Sequence, residues 1–349
     1  MKYARLKILR PASLTVSVVI GLLLNAPRVN SAILDDGLTF SPAVLQMSIS
    51  PDMRYLVYMT PDDRVSGMAI NPARKLADYD LDLVRHTSFS PPIVSIHICP
   101  ADNTFVALFK DGYFAKCSMS GQNPVLYRQA KQKGATAFCL LSLNGRLAAL
   151  TYRANKLSLV GIPSMQTLWT FKKPLPHLTD ASISSNGTLL TCVIADGELQ
   201  LVDVKRQRVF ASSKGTILES EGAAFSADSR RFICEDNKLS SILVWGNGRH
   251  PFEQKRIRLV MAKSALSPNG RTIAISTKSD RVDLFKLSPT GGLERRITSL
   301  GYTWPLDPKA TTSTLFSPDS QFLFLGDWDG SIVMWNLVTM KRVTLVPQS

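Results

Sequence analysis

The chain has 349 residues, 45% apolar and 19% charged, with 41 Lys and Arg against 27 Asp and Glu for a formal charge of +14. That length can bury one large core or two ordinary ones, and the composition excludes a disordered tail, a collagen, a coiled coil and a small disulfide scaffold. The positive balance favours anionic partners and is silent on fold.

In chain order, Lys2, Arg5, Lys7 and Arg10 form a basic start, Ser13 to Leu24 is an uncharged apolar run, and Asn30, Ser31 and Ala32 precede Ile33. This pattern predicts a secretory signal peptide over residues 1–32, cleaved after Ala32. The alternative, an uncleaved anchor, is disfavoured by length, because a helix of that run reaches about 18 Å and a hydrocarbon core is about 30 Å thick. The first cysteine, Cys99, lies far from the cleavage point, which argues against a lipid anchor, and no later apolar run approaches spanning length. The expected mature chain is soluble, secreted or periplasmic, without a transmembrane anchor, and carries 36 basic against 27 acidic residues, a net +9. Cys99, Cys117, Cys139, Cys192 and Cys234 are an odd set in apolar runs with no C-x-x-C spacing. Buried, hydrophobe-like thiols are therefore expected in preference to a redox pair or a metal site.

Beyond an N-terminal segment, residues 33–43, one pattern recurs: an apolar run, a Ser-Pro-Asp-like turn, and a second apolar run. The copies are anchored at Ser50, Cys99, Ser142, Ser184, Ser226, Ser267 and Ser317, with steps of 49, 43, 42, 42, 41 and 50. A period near 42 is the length of a four-stranded propeller blade. Asn-Gly and Asp-Gly pairs, which supply the positive φ of tight hairpins, recur after the first run (Asn144-Gly145, Asn186-Gly187, Asn269-Gly270) and after the second (Asp111-Gly112, Asp196-Gly197, Asp329-Gly330). Second strands are expected at Tyr55 to Met59, Phe105 to Phe109, Leu189 to Ile194 and Phe322 to Leu325, third strands ending at Val202, Trp245, Phe285 and Trp335, and polar fourth strands such as Val209 to Ser212 and Lys341 to Val346. Apolar central strands with a polar outermost strand suit a radial sheet. The expectation is an all-β, seven-bladed β-propeller of four-stranded antiparallel blades over residues 44–349. Its last unit owns its fourth strand, and Leu38 to Phe40 are candidates for an added edge.

The last copy, Phe316-Ser317-Pro318-Asp319, then Gly326-Asp327-Trp328-Asp329-Gly330-Ser331, then Met334-Trp335-Asn336-Leu337, resembles the Trp-Asp (WD) repeat family of β-propellers. The likeness runs loosely from about Val44 to Val346; the Gly-His of that family is absent, and its dipeptide is Trp-Asn here once. The resemblance implies a propeller with the family's turn Asp at Asp111, Asp196 and Asp329, while His86 is the nearest candidate for the matching histidine. Exported propellers with Ser-Pro-Asp-Gly turns, such as the periplasmic propeller of the Tol system, are also similar.

A propeller is a scaffold, so function is argued from a site. Channel-facing positions of the first strands, two before each anchor, read Ser48, His97, Leu140, Ser182, Ala224, Ala265 and Leu315, so His97 is the one titratable channel candidate. A lone imidazole falls short of a metal-ligand set. The four histidines, His86, His97, His177 and His250, with no C-x-x-C-H, give no haem or copper signature, and no G-x-S-x-G, P-loop or H-E-x-x-H occurs. Asp319, Asp327 and Asp329 sit at turns, where capping accounts for them better than calcium. No catalytic residue, metal ligand or cofactor is therefore assigned.

Charge placement is more informative. Turns after strands one and three emerge on one face of a propeller, and basic residues favour them: Arg54, Arg146, Arg230, Arg231 and Arg271 in first turns, with Arg74, Lys75, Lys205 and Arg206 near third strands. Asp52, Asp228 and Asp319 dilute this set. The binding candidates are Arg54, Arg146, Lys205, Arg206, Arg230, Arg231 and Arg271, a basic face for an anionic surface or polymer or a protein partner; ordinary solvated loops are the competing reading. The leading expectation is an exported, non-enzymatic scaffold that binds other proteins. The alternative is an exported, lactonase-like propeller hydrolase with its site in the channel at His97. Nucleic acid ranks last, because no aromatic residues interleave with the basic clusters.

Overall fold

The computed structural model describes residues 43–61, 64–79, 81, 93–99, 104–109, 113–120, 125–127, 138–141, 147–152, 156–161, 166–170, 178–184, 186–194, 198–213, 220–236, 241–246, 255–258, 263–277, 281–288, 293–301 and 311–347. All fall in the larger of two compact units, Phe40–Ser349. The signal-peptide expectation, the segment Leu38 to Phe40, His86, Arg146, His177 and His250 lie outside the described residues.

Among the described residues the chain forms seven four-stranded sheets, each antiparallel and in sequence order. Sheet 1 comprises β1 (Gln46–Ile49), β2 (Tyr55–Met59), β3 (Val65–Ala69) and β4 (Arg74–Tyr79). Sheet 2 comprises β5 (Ile93–Cys99), β6 (Thr104–Phe109), β7 (Phe114–Ser118) and β8 (Val125–Tyr127). Sheet 3 comprises β9 (Phe138–Leu141), β10 (Leu147–Tyr152), β11 (Lys156–Gly161) and β12 (Thr167–Thr170). Sheet 4 comprises β13 (Leu178–Ile183), β14 (Leu189–Ile194), β15 (Leu199–Asp203) and β16 (Arg208–Ser213). Sheet 5 comprises β17 (Ser220–Phe225), β18 (Arg231–Asp236), β19 (Ser241–Gly246) and β20 (Lys255–Arg258). Sheet 6 comprises β21 (Ser264–Leu266), β22 (Thr272–Thr277), β23 (Arg281–Leu287) and β24 (Leu293–Gly301). Sheet 7 comprises β25 (Thr311–Phe316), β26 (Phe322–Asp327), β27 (Ile332–Asn336) and β28 (Lys341–Val346).

The sheets are arranged as in a β-propeller, a ring of small antiparallel sheets in which five blades are distinct as such. Successive sheets meet through their first strands, β1 against β5, β5 against β9, and onward to β21 against β25 and β25 against β1. The fourth strands face outward and are mainly exposed, as in β24 and β28. The core is divided into clusters between neighbouring sheets. One joins Val57, Tyr79 and Met59 of sheet 1 to Ile96, Phe105 and Cys117 of sheet 2, with Tyr79 edge-on to Phe105 at 4.8 Å between ring centres. Others join sheets 3 and 4, 4 and 5, 5 and 6, and 6 and 7. A further cluster places Val44, Met47 and Leu56 against Phe324, Ile332 and Leu345, closing sheet 7 onto sheet 1. Each fully buried Leu, Ile or Phe side chain contributes about 1.5–3 kcal/mol, and neither face of a single sheet is covered without its neighbours.

The Ser-Pro-Asp repeat has one physical meaning in all five described copies. Ser50, Ser184, Ser226, Ser267 and Ser317 are buried. Each hydroxyl donates to the Asp or Asn two residues on, as in Ser50 to Asp52 at 2.6 Å and Ser267 to Asn269 at 2.8 Å. Each also accepts the amide five residues on, as from Tyr55 and Thr272 at 2.9 Å. The same hydroxyl bonds bind Ser184 to Asn186 and Leu189, Ser226 to Asp228 and Arg231, and Ser317 to Asp319 and Phe322. The residue three after the Ser takes positive φ each time: Met53 (61°), Gly187 (69°), Ser229 (60°), Gly270 (67°) and Ser320 (63°). The pairing register also shifts early in the first strands of sheets 2, 4, 5 and 7, a recurring bulge that marks these sheets as repeats of one another.

Candidate functional site

His97 sits on β5, half-buried, where the sequence places it. Its Nδ1 lies 3.1 Å from Ser48 Oγ of β1, and Ser48 Oγ accepts the Ile98 amide at 2.9 Å. Gln46 repeats the bridge one pair along, accepting from the Ile96 amide at 2.9 Å and donating to Ser95 Oγ at 3.3 Å. His97 is thus part of a polar seam joining sheets 1 and 2. Ser48 is 3% exposed, and its hydroxyl lies between the Ile98 amide and His97. Among the described residues no group of three or more His, Cys, Asp or Glu could hold a metal ion.

The basic candidates separate into three groups. Arg54 and Arg206 are neutralised locally: Arg54 Nε lies 2.5 Å from Asp52 Oδ2, and Arg206 Nη1 lies 2.7 Å from Asp203 Oδ2. The Arg206 amide, then its guanidinium, hold the Asp203 carboxyl below its ordinary range, and the Asp52 carboxylate raises Arg54. Arg231 is half-buried in the seam between sheets 5 and 6, donating from Nη1 to the Gly270 carbonyl. Arg230, Arg271 and Lys205 are exposed, and among the described residues none has an ion pair with an acid. Arg230 and Arg271 emerge from the first turns of sheets 5 and 6, and Lys205 from the turn between β15 and β16, so all three share the face of first and third turns.

Compared with known proteins, the chain matches no protein-family model and no curated protein. Its site is therefore read from its own geometry.

Two features of the structure were not singled out as sites from the sequence. A cleft of about 720 Å³ lies on the same turn face at the junction of sheets 1 and 2, with Arg54, Tyr55, Asn71 and Arg74 among its lining. Its signal was the hairpin register, because Tyr55 pairs with Ala69 and Ala69 with Arg74, which aligns a cross-strand row. On the opposite face, Asp327, the last residue of β26, and Asp329 just beyond it are buried. Burial, then the neighbouring Asp329 carboxylate, push the Asp327 carboxyl up to about 7, against the hydroxyls of Thr311 and Ser331 and the Arg342 charge. Asp327 Oδ1 has no hydrogen-bond partner among the described residues. Asp329 instead caps its turn, accepting the Ser331 amide at 3.0 Å.

The cysteines behave as small hydrophobes. Cys117, Cys192 and Cys234 are buried inside the clusters between sheets, and desolvation pushes the Cys117 thiol up to about 12. Cys99, at the end of β5, is half-buried.

Proposed function

We propose that this chain is an exported, non-enzymatic propeller that docks other macromolecules, proteins foremost, through the face carrying its first and third turns. The observation that carries the reading is the trio Lys205, Arg230 and Arg271, exposed on that face without acid partners among the described residues. Cations left without acid partners among the described residues, Arg230 and Arg271 on turns pinned by a buried Ser and an Asx acceptor and Lys205 on a turn where Asp203 accepts the Arg206 amide, present a positive pattern to a complementary surface. The finer architecture we infer is a seven-bladed, WD-repeat-like ring: seven four-stranded sheets, first strands that meet in cyclic order, and a core cluster linking sheet 7 to sheet 1 support it.

Export rests on the basic start, apolar run and small residues of positions 1–32. Sequencing the N-terminus of protein recovered outside the cytoplasm is expected to read from Ile33; recovery with Met1 in place overturns it. The docking role is tested by affinity capture from the exported fraction of the native host. The tagged protein is expected to retain a specific partner that the Lys205→Glu, Arg230→Glu, Arg271→Glu variant loses; capture unchanged by the triple reversal contradicts the role. Anionic vesicles run in parallel decide whether the face recognises a protein or a charged surface.

A further inference from the structure

We propose that the cleft between sheets 1 and 2 is a binding site for an acidic, extended peptide segment of a protein partner. The proposal rests on the docking role above and assigns it a specific seat. The cleft, about 720 Å³, falls within the ~300–1,000 Å³ of small-ligand sites. Among the described lining residues the guanidinium groups are Arg54, from the β1–β2 turn and already paired with Asp52, and Arg74, the first residue of β4. Arg54 is held in place twice, by Asp52 and by its position 5.5 Å over the Tyr55 ring. Arg74 is exposed and has no ion pair among the described residues. No acid is among the described residues lining the cleft. A guanidinium presents a planar fork of donors that matches a carboxylate with two parallel bonds.

The rest of the wall decides between classes of anion. Tyr55, Leu76 and Met119 give it an apolar side. Met119 is buried, and Tyr79 beneath it donates its hydroxyl to the Ser118 carbonyl at 2.8 Å, so this floor is fixed before anything binds. A free phosphate uses only the two arginines. A lipid surface is flat and leaves the recess unfilled. A peptide carrying an acidic side chain beside apolar ones places its carboxylate on Arg74 and its apolar neighbours on Leu76 and Tyr55, with Asn71 as a further polar residue of the lining.

The test is fluorescence anisotropy of the mature protein with a labelled hexapeptide of alternating Asp and Leu. Arg74→Glu is expected to weaken binding at least tenfold and Arg74→Gln at least threefold, whereas Arg271→Glu, on sheet 6 with the same charge change, weakens it less than twofold. Both Arg74 variants alter an exposed side chain, and unchanged circular dichroism verifies folding. An equal loss with Arg271→Glu overturns the proposal, as does undetectable peptide binding. Inorganic phosphate, or vesicles with anionic headgroups, binding in an Arg74-dependent way while the peptide does not, overturns it in favour of a small anion or a membrane. If the triple reversal of the turn face abolishes partner capture while the peptide ignores Arg74→Glu, the cleft assignment falls and the docking role stands. If capture also survives the triple reversal, both fall.

Discussion

At the scale of single residues, the turn serine does the most structural work for its size. Ser317 Oγ accepts the Phe322 amide at 2.8 Å and donates to Asp319 at 2.5 Å, both at a buried position. Ser317→Ala leaves that amide and carboxylate short of a partner, and a loss of about 1–3 kcal/mol is expected in urea unfolding. The neighbouring positive-φ position makes the opposite prediction. Ser229 sits at φ 60° with its hydroxyl buried and unpaired, where sheets 4 and 6 already carry Gly187 and Gly270. Ser229→Gly removes a backbone penalty and an unsatisfied group together, and is expected to stabilise by about 1 kcal/mol. Gly270 is not exchangeable in the other direction, since a Cβ there would meet Arg231 Cδ at 3.2 Å on an already left-handed backbone.

Asp327 gives the molecule a pH dependence of defined sign. Its carboxyl is raised by burial and then by Asp329 to about 7, so the folded chain holds that proton where the unfolded chain, near 3.8, has released it. The stabilisation is complete below the unfolded value and is lost as pH rises from about 4 to about 7, by up to about 4 kcal/mol at 1.36 kcal/mol per unit. The thermal midpoint is expected to fall across that window, and Asp327→Asn to flatten the fall. An identical slope in the variant places the titration elsewhere.

At the scale of elements, the hairpins and the seams between sheets were unequally visible in the sequence. The β2, β14 and β28 spans match the expected Tyr55 to Met59, Leu189 to Ile194 and Lys341 to Val346, because alternation, β-branched content and turn chemistry are all local. The turn geometry was legible for the same reason: Ser and Asx act on amides within five residues. The seams were not. Arg231 reads as one more turn cation until its partner, the Gly270 carbonyl 39 residues on, is in place. Thr312 donates to the Val44 carbonyl at 2.7 Å across 268 residues, and the Val44 amide donates to the Asp327 carbonyl at 3.1 Å. No local pattern encodes such pairs.

The same seam supplies a sharp element-scale prediction. An added Cβ at Gly326 on β26 would fall 2.6 Å from Val44 Cγ1 and 2.7 Å from Val44 Cβ. Gly326→Ala is expected to destabilise by about 1–3 kcal/mol through overpacking. Val44→Ala in the same chain is expected to recover part of that loss, giving a double-mutant coupling above about 0.5 kcal/mol. Additive losses mean that the N-terminal segment does not pack on sheet 7.

At the scale of the whole molecule, the account joins a ring whose strength is spread over many seams to a face whose charge is concentrated on a few turns. The overall positive charge was visible at once, but net charge alone does not choose a docking surface. The structure removes Arg231 to a seam, and pairs Arg54 and Arg206 with Asp52 and Asp203, leaving fewer cations than the sequence offered. Among the described candidates, Lys205, Arg230 and Arg271 remain on turns of one face, with Arg74, at the start of β4, lining the cleft on that face.

The measurement that bears most directly on this is a comparison of two triple reversals of equal charge, read as the dissociation constant for the captured partner at one ionic strength. Lys205→Glu, Arg230→Glu and Arg271→Glu alter the turn face; Arg64→Glu, Arg295→Glu and Arg296→Glu alter the β2–β3 end of sheet 1 and the outer edge of sheet 6. A loss of at least tenfold confined to the first variant is the result expected. Equal losses in both contradict the account, because the protein would then bind by its net charge alone.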